Sequence, residues 1–368
     1  MNNNPFKGKS IFDLAKEEGI ELNIVEEKKE DTPLIDNTEE VIENEKIEDN
    51  IVNNELEESK EELKEVISEN ENLEETITED IDNNQTEEQT EQIEEENKEE
   101  VEASPKFVMI VGAYGGLGRA SMDAALKLGY LVFALDKRID LEFNNEYVMP
   151  IECDITDINS LNNAYNVIND YTDRLEAIIN CAGVFYFDSM VEGDELRLRN
   201  SFDINFFGTY RINKLFIPFL AKGAKIINVT SEVAGYSPQP FMGCYSISKK
   251  MLDCYNDVLR RELNYVGIRV VKVEAGSFKT SLLSNAYKEF DRMYEETEVY
   301  KKQLLKLKYM MERELDKNNS PKKFQKVIEK ILKAKRPKIR YRINRSKALR
   351  FLSSLPEKMQ DRIYKKVI

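Results

Sequence analysis

The stretch Phe107-Val-Met-Ile-Val-Gly112-Ala-Tyr-Gly-Gly116-Leu-Gly118-Arg-Ala-Ser-Met-Asp-Ala-Ala-Leu126 joins an apolar run to a glycine-rich turn and then to a helix-forming segment. An apolar run without polar alternation reads as a strand covered on both faces. Gly112, Gly115, Gly116 and Gly118 suit a tight turn whose backbone must come close to a ligand, and the free N–H groups of a helix start favour an anion such as a pyrophosphate. The same alternation continues outward. Leu131-Val-Phe-Ala-Leu135, Ala177-Ile-Ile-Asn180, Lys225-Ile-Ile-Asn-Val-Thr230 and Ile268-Arg-Val-Val-Lys-Val273 read as further buried strands. Helix-length stretches at 116–128, 158–171, 203–222 and 244–266 separate them. Strands alternating with helices predict an α/β fold built on a doubly wound parallel sheet.

The second strand ends at Asp136, 24 residues after Gly112, where a carboxylate can accept hydrogen bonds from an adenosine ribose. A carboxylate there repels a 2′-phosphate and favours NAD. Lys137 and Arg138 alongside would attract such a phosphate, which keeps NADP open.

The chain contains no histidine, so Ser-His-Asp triads, Cys-His pairs and His-ligated metals are excluded, and no metal site is expected. Another pair of titratable groups stands at Tyr245-Ser-Ile-Ser-Lys249. On a helix, positions i and i+4 share a face. A phenol titrating near ~10 is a poor base at neutral pH, and a nearby ammonium is expected to lower that value. The pair can then exchange a proton with an alcohol. Ser231 directly follows the strand ending at Thr230, at the end of the sheet where open α/β folds bind ligands.

With these residues in place, the segment from about 105 to 280 resembles the short-chain dehydrogenase/reductase family. The family's TGxxxGxG pattern matches at Gly112, Gly116 and Gly118, and its adenine-contacting acid at Asp154 in Cys153-Asp-Ile-Thr156. Its NNAG motif matches Asn180-Cys-Ala-Gly183, and its late PGxxxT segment matches Ala275-Gly276-Ser-Phe-Lys-Thr280. The active-site Asn falls on Asn205, the Ser on Ser231, and the Tyr and Lys on Tyr245 and Lys249. The resemblance implies a Rossmann-type sheet and an NAD(P)-dependent oxidoreductase acting on a secondary alcohol or ketone. It implies cofactor contacts from Gly112, Tyr114, Gly115, Gly116, Leu117, Gly118, Asp136, Asp154, Ile155, Asn180, Ala182, Gly183, Tyr245, Lys249, Gly276 and Thr280. It assigns Ser231 to holding the substrate oxygen, Tyr245 to moving its proton, and Lys249 to depressing the phenol pKa while binding the nicotinamide ribose. Asn205 would fix a bend in its helix and a water leading from Lys249 to solvent. Three positions depart from the pattern: Val111 replaces a Thr, Cys181 an Asn and Ala275 a Pro. None of the three removes a proton-transfer group.

Outside this segment the charge is divided. Residues 1–104 carry 37 acidic against 9 basic side chains and the remaining 264 carry 32 against 44, within a total of −16. From Glu21 to Glu102 there is no aromatic residue, so the composition predicts a disordered acidic extension. Ser10 to Gly19 reads as a short amphipathic helix, a candidate docking peptide for a partner within residues 1–20. The globular part is expected to be one domain over 105–368. In it, segment 281–319 and the loop Val233 to Met242 would form the substrate side, with Leu282, Leu283, Tyr287, Phe290, Met293 and Tyr294 as core or pocket lining. Residues 321–366 hold 17 basic against 3 acidic side chains, suited to a solvated face, to an anionic surface or to the chain's own acidic extension. The runs Ser277 to Leu283 and Arg336 to Arg342, with Leu355-Pro356, loosely resemble the steroid, retinol and hydroxybutyrate dehydrogenase branch, which points to a hydrophobic substrate. Four scattered cysteines, no leader pattern and no apolar stretch of spanning length predict a cytoplasmic protein without a transmembrane segment. Nucleic acid is not an expected partner, and a homo-oligomer is expected by analogy. The rival reading is a dinucleotide-binding scaffold or regulatory protein whose acidic arm recruits partners.

Overall fold

The computed structural model describes residues 105–315 and 319–368. The acidic extension 1–104, with its expected helix at 10–19, lies outside the described residues. Seven strands form one parallel sheet: β1 (Phe107–Val111), β2 (Leu131–Asp136), β3 (Val148–Glu152), β4 (Leu175–Asn180), β5 (Leu220–Ser231), β6 (Arg269–Ala275) and β7 (Arg340–Ile343). Their spatial order is β3-β2-β1-β4-β5-β6-β7. The order reverses direction between β1 and β4, so the Gly112 turn and the Cys181-Ala-Gly183 segment emerge side by side at the carboxyl edge of the sheet. That is the crevice in which open α/β sheets hold ligands.

The central strands are largely apolar because both faces are covered. Val108, Ile110, Val132, Ala134, Ile227 and Val271 join one buried cluster, and their neighbours Met109, Val111, Phe133, Leu135, Ile226 and Val270 join the other. On the first face lie α1 (Gly116–Leu126) and α8 (Lys322–Lys333). Helix α8 is basic outside, yet it packs Phe324, Ile328, Ile331 and Leu332 inward. The second face carries α2 (Ile158–Tyr171), α4 (Thr209–Phe216) and α5 (Gly243–Asn264). Lys272 of β6 is buried and paired with Asp253 at 2.8 Å and Asp257 at 2.9 Å, which pins α5 to the sheet.

Two edge strands escape the sequence pattern. β3 contains Pro150 and fully buries only Ile151, and β7 reads Arg-Tyr-Arg-Ile. Each has a partner on one side only, where a proline and charged residues are tolerated. The helix expected at 203–222 is divided. After α3 (Glu195–Phe202) come a π-helical segment, Asp203–Gly208, then α4 and a 3-10 turn, Ile217–Phe219, and β5 begins at Leu220. Pro218 cannot donate to a continuing helix. Beyond β6, α6 (Ser281–Glu296) and α7 (Lys301–Leu315) cover the open end of the crevice, and α9 (Lys347–Ser353) and α10 (Glu357–Val367) close the chain.

Candidate active site

Gly112 sits at φ +73°, and a Cβ there would stand 2.6 Å from the Ala182 nitrogen, so the two segments that emerge from β1 and β4 touch only because glycine is present. The N–H groups of Gly112 and Ala113 donate to the Leu135 carbonyl at 2.8 and 3.1 Å. The turn is thus tied by backbone bonds, and Val111 in place of Thr costs it no anchor. The N-cap of α1 is Gly115, without a side-chain cap and with no acidic residue in the first turn. The helix start therefore presents unsatisfied N–H groups to the crevice.

At the end of β2, Asp136 accepts the Tyr114 N–H at 3.0 Å and the Arg138 N–H at 3.2 Å. Asp154 accepts Lys137 Nζ at 2.5 Å and both the hydroxyl and the N–H of Thr156 at 2.7 and 2.9 Å. Burial alone would raise the Asp154 carboxyl, but these donors hold it down to about 2. Ile155 is buried against Gly208, where a Cβ would collide with its side chain. Asn180 faces away from the crevice and donates to Asn213 and Asn228 at 2.8 Å each within the core.

Ser231, Tyr245 and Lys249 converge on the next strand ends. Ser231 closes β5 and is buried, with its hydroxyl near enough to the Tyr245 phenol to lower that group's pKa. Tyr245 lies near the start of α5 with the Phe185 ring 4.9 Å away, centroid to centroid. Lys249, one turn on, is buried with Nζ 5.8 Å from the Tyr245 ring centroid, and it donates to the Val229 carbonyl at 3.2 Å. Asn205 occupies the π-helical segment. Its amide donates to the Val184 carbonyl at 3.0 Å and to Ser248 Oγ at 2.9 Å, and its oxygen accepts the Val184 N–H at 2.8 Å. These bonds fasten the segment after β4 to α5.

The expected acidification of Tyr245 by Lys249 is not what this geometry gives. Burial raises the phenol, the Ser231 hydroxyl lowers it, the Glu232 carboxylate raises it, and the balance stays above the ordinary 10.0. Burial also pushes the Lys249 ammonium down, to about 8. Removing water disfavours whichever form is charged, so both groups move toward neutrality. Cys181, beside Lys249, is driven up to about 12 by burial and stays a thiol, with Sγ 3.5 Å from Ser121 Oγ.

One cleft of about 980 Å³ brings the glycine turn together with Ser231, Tyr245 and Lys249, while Gly112, Tyr114, Asp136, Asp154, Ile155, Asn180, Ala182 and Asn205 are not among its lining residues. Gly115, Gly116, Leu117, Gly118, Gly183, Gly276 and Thr280 line one end, and Ser231, Tyr245 and Lys249 line its middle. Thr280 lies where a Cβ on Gly116 would be. A bare glycine rim, an uncapped helix start and a buried ammonium with one carbonyl partner fit a dinucleotide. Of the expected substrate-side residues, Leu282 lines the cleft, while Phe290 and Met293 are core of a small cluster with Phe187 and Leu304, against which Tyr294 packs. Sequence reasoning missed Glu232, Phe185, Ser248 and the far wall formed by Ser346, Leu349, Leu352 and Tyr364. None of these carries a spacing signal, and the wall lies about a hundred residues from Tyr245 in the chain.

A family model described as short chain dehydrogenase matches residues 106–290. The chain is 30% identical over 188 residues to a probable short-chain type dehydrogenase/reductase, VdlC, of Helicobacter pylori, a match covering 50% of this chain and 69% of that protein. It is 25% identical over 260 residues to the 3-ketodihydrosphingosine reductase of Bacteroides thetaiotaomicron, covering 69% of this chain and 95% of that protein. The crystal structure of a short chain dehydrogenase from Burkholderia cenocepacia in complex with NADP superposes with a TM-score of 0.54 at 20% identity, over 72% of this chain and 98% of the other.

Proposed function

The chain belongs to the short-chain dehydrogenase family, whose members are NAD(P)-dependent oxidoreductases acting on CH–OH groups, and on that premise we propose that it reduces a hydrophobic ketone to a secondary alcohol with Tyr245 as the proton donor. The observation that carries this reading is the contact between Ser231 and the Tyr245 phenol on the wall of the cleft that also holds the glycine rim. Ser231 would orient a carbonyl oxygen, and Tyr245 would give it a proton. At neutral pH the raised phenol is fully protonated, which suits donation to a carbonyl better than abstraction from an alcohol. A dinucleotide held by its pyrophosphate along the glycine rim would supply the hydride from its nicotinamide. Lys249 would hold the adjoining ribose hydroxyls, and Asn205 keeps α5 and the Val184 segment in register so that the phenol faces the cleft.

NAD is the proposed cofactor over NADP, because the Asp136 carboxylate stands at the end of β2 while Lys137 is committed to Asp154. A hydrophobic substrate is supported by the cleft's lining of Phe185, Phe187, Val233, Leu282, Leu349 and Leu352. The test is Tyr245→Phe assayed with NADH and a panel of apolar ketones. The expected result is a fall in turnover of about 10²- to 10⁴-fold with NADH affinity within about twofold of the parent. Undiminished turnover in that variant sinks the assignment.

A further inference from the structure

The last two helices have an inner face that belongs to the cleft and an outer face that nothing in the reaction uses. Leu349 and Leu352 of α9 and Tyr364 of α10 line the cleft. On the other side of α9, Lys347, Arg350 and Phe351 are exposed at positions i, i+3 and i+4, a single stripe. On α10 the stripe Met359, Arg362 and Lys366 is exposed, flanked by Lys358 and Lys365. Phe351 is 67% accessible and Met359 45%. Among the described residues no ion-pair partner stands within reach of Lys347, Arg350, Lys358, Arg362, Lys365 or Lys366. Elsewhere, Arg340 and Arg342 bind Glu274, and Lys127 binds Glu329, so these three are committed. The acids on the outer side are Glu357 and Asp361, two against six cations.

We propose that the outer face of α9 and α10 docks on an anionic lipid bilayer, which places the rim of the cleft against the membrane. Charge complementarity selects a polyanion, and the apolar side chains select a bilayer among polyanions. A phosphate backbone or an acidic peptide pairs with the cations and leaves Phe351 and Met359 in water. A bilayer accepts both, with the lysines and arginines at headgroup level and the phenyl and thioether groups below it. The chain's net charge of −16 does not forbid this, because charges farther than about 8 Å from the contact are screened at physiological salt while the contacting face is not. No described helix is long and apolar enough to cross a membrane, so the attachment is peripheral. The proposal is independent of the reaction assigned above, since adsorption and turnover are read separately.

The experiment is flotation of the full chain with vesicles of phosphatidylcholine, with and without phosphatidylserine, at several salt concentrations. Two variants accompany it, Phe351→Ser/Met359→Ser and Lys358→Gln/Arg362→Gln/Lys365→Gln, each checked for an unchanged melting temperature and NADH affinity. Binding is expected on the serine-containing vesicles only, to weaken with salt, and to fall on the order of a hundredfold in the charge variant. The apolar variant is expected to lose roughly tenfold while keeping its affinity for heparin, the soluble polyanion used as competitor. Failure of the full chain to bind the anionic vesicles overturns the proposal. Adsorption that the apolar variant leaves intact also overturns it, and reassigns the face to soluble polyanions. If the charge variant does not fold, the apolar variant alone decides between these outcomes.

Discussion

The Glu232 carboxylate accepts the backbone N–H of Ser346 at 2.6 Å, joining the residue after Ser231 to the N-cap of α9. The same segment adds a bond from Ser237 N–H to Ser353 Oγ at 3.0 Å and the Arg345 guanidinium over the Tyr236 ring at 4.8 Å. The far wall of the cleft is therefore held to the segment beside Ser231 by one buried carboxylate and its neighbours.

Glu232→Gln keeps an acceptor for Ser346 and removes the negative charge that opposes ionisation of Tyr245. The alkaline limb of the ketone-reduction profile is expected to move to lower pH, with KM within about twofold. Glu232→Ala removes the tether too, so KM for the ketone is expected to rise while the limb moves the same way. Steady-state kinetics across pH separate the two effects; a limb that does not move in either variant denies the carboxylate any influence on the phenol.

Burying Lys249 has a cost that pH reveals. Its folded value of about 8 lies below the ordinary 10.5, so the unfolded chain binds the proton more tightly. The penalty is complete below pH 8, shrinks as pH rises from there, and is gone above 10.5. Lys249→Met is expected to be inactive yet more stable than the parent at pH 7, by at most about 3 kcal/mol, with the gap closing toward alkaline pH. Urea unfolding at several pH values measures it.

Cofactor choice is expected to respond to Asp136 and Asp154 differently. Asp136→Ser removes repulsion of a 2′-phosphate, worth about 1 kcal/mol at short range in water, and should raise the NADPH to NADH ratio of kcat/KM by roughly fivefold or more. Asp154→Asn releases Lys137, now 2.5 Å away, and should shift the ratio the same way by a smaller factor. Unchanged ratios in both variants would show that the β2 end does not read the ribose.

Direction should also depend on pH. Because burial holds the Tyr245 phenol above 10.0, ketone reduction is expected to be level through neutral pH and to fall only in the alkaline range. Alcohol oxidation, which needs the phenolate, should climb about tenfold per pH unit over the same neutral span. Parallel profiles in both directions would place the controlling proton elsewhere.

The sheet, the glycine turn and the order of Asn205, Ser231, Tyr245 and Lys249 along the chain were legible without coordinates. They rest on backbone preferences and side-chain periods that act over a few residues, so a strand entering Gly112 or a phenol one turn before an ammonium is visible locally. The edge strands were not legible, because β3 and β7 satisfy one partner only and tolerate Pro150, Arg340 and Arg342. The motif placed Asn180 at the end of a strand but did not say that its side chain turns to Asn213 and Asn228.

Charge on Tyr245 and Lys249 belongs to the other category. The spacing placed them together, but the direction in which each titrates follows from how much water the surrounding strands, Phe185 and Glu232 exclude. The same holds for the cleft's far wall. Ser346 meets Glu232 across 114 positions of chain, and no local pattern encodes a contact that arises only when β7 adds to the sheet edge and delivers α9 over the site. Short-range chemistry is written in neighbouring residues, whereas desolvation and long-range contact exist only once the chain has packed.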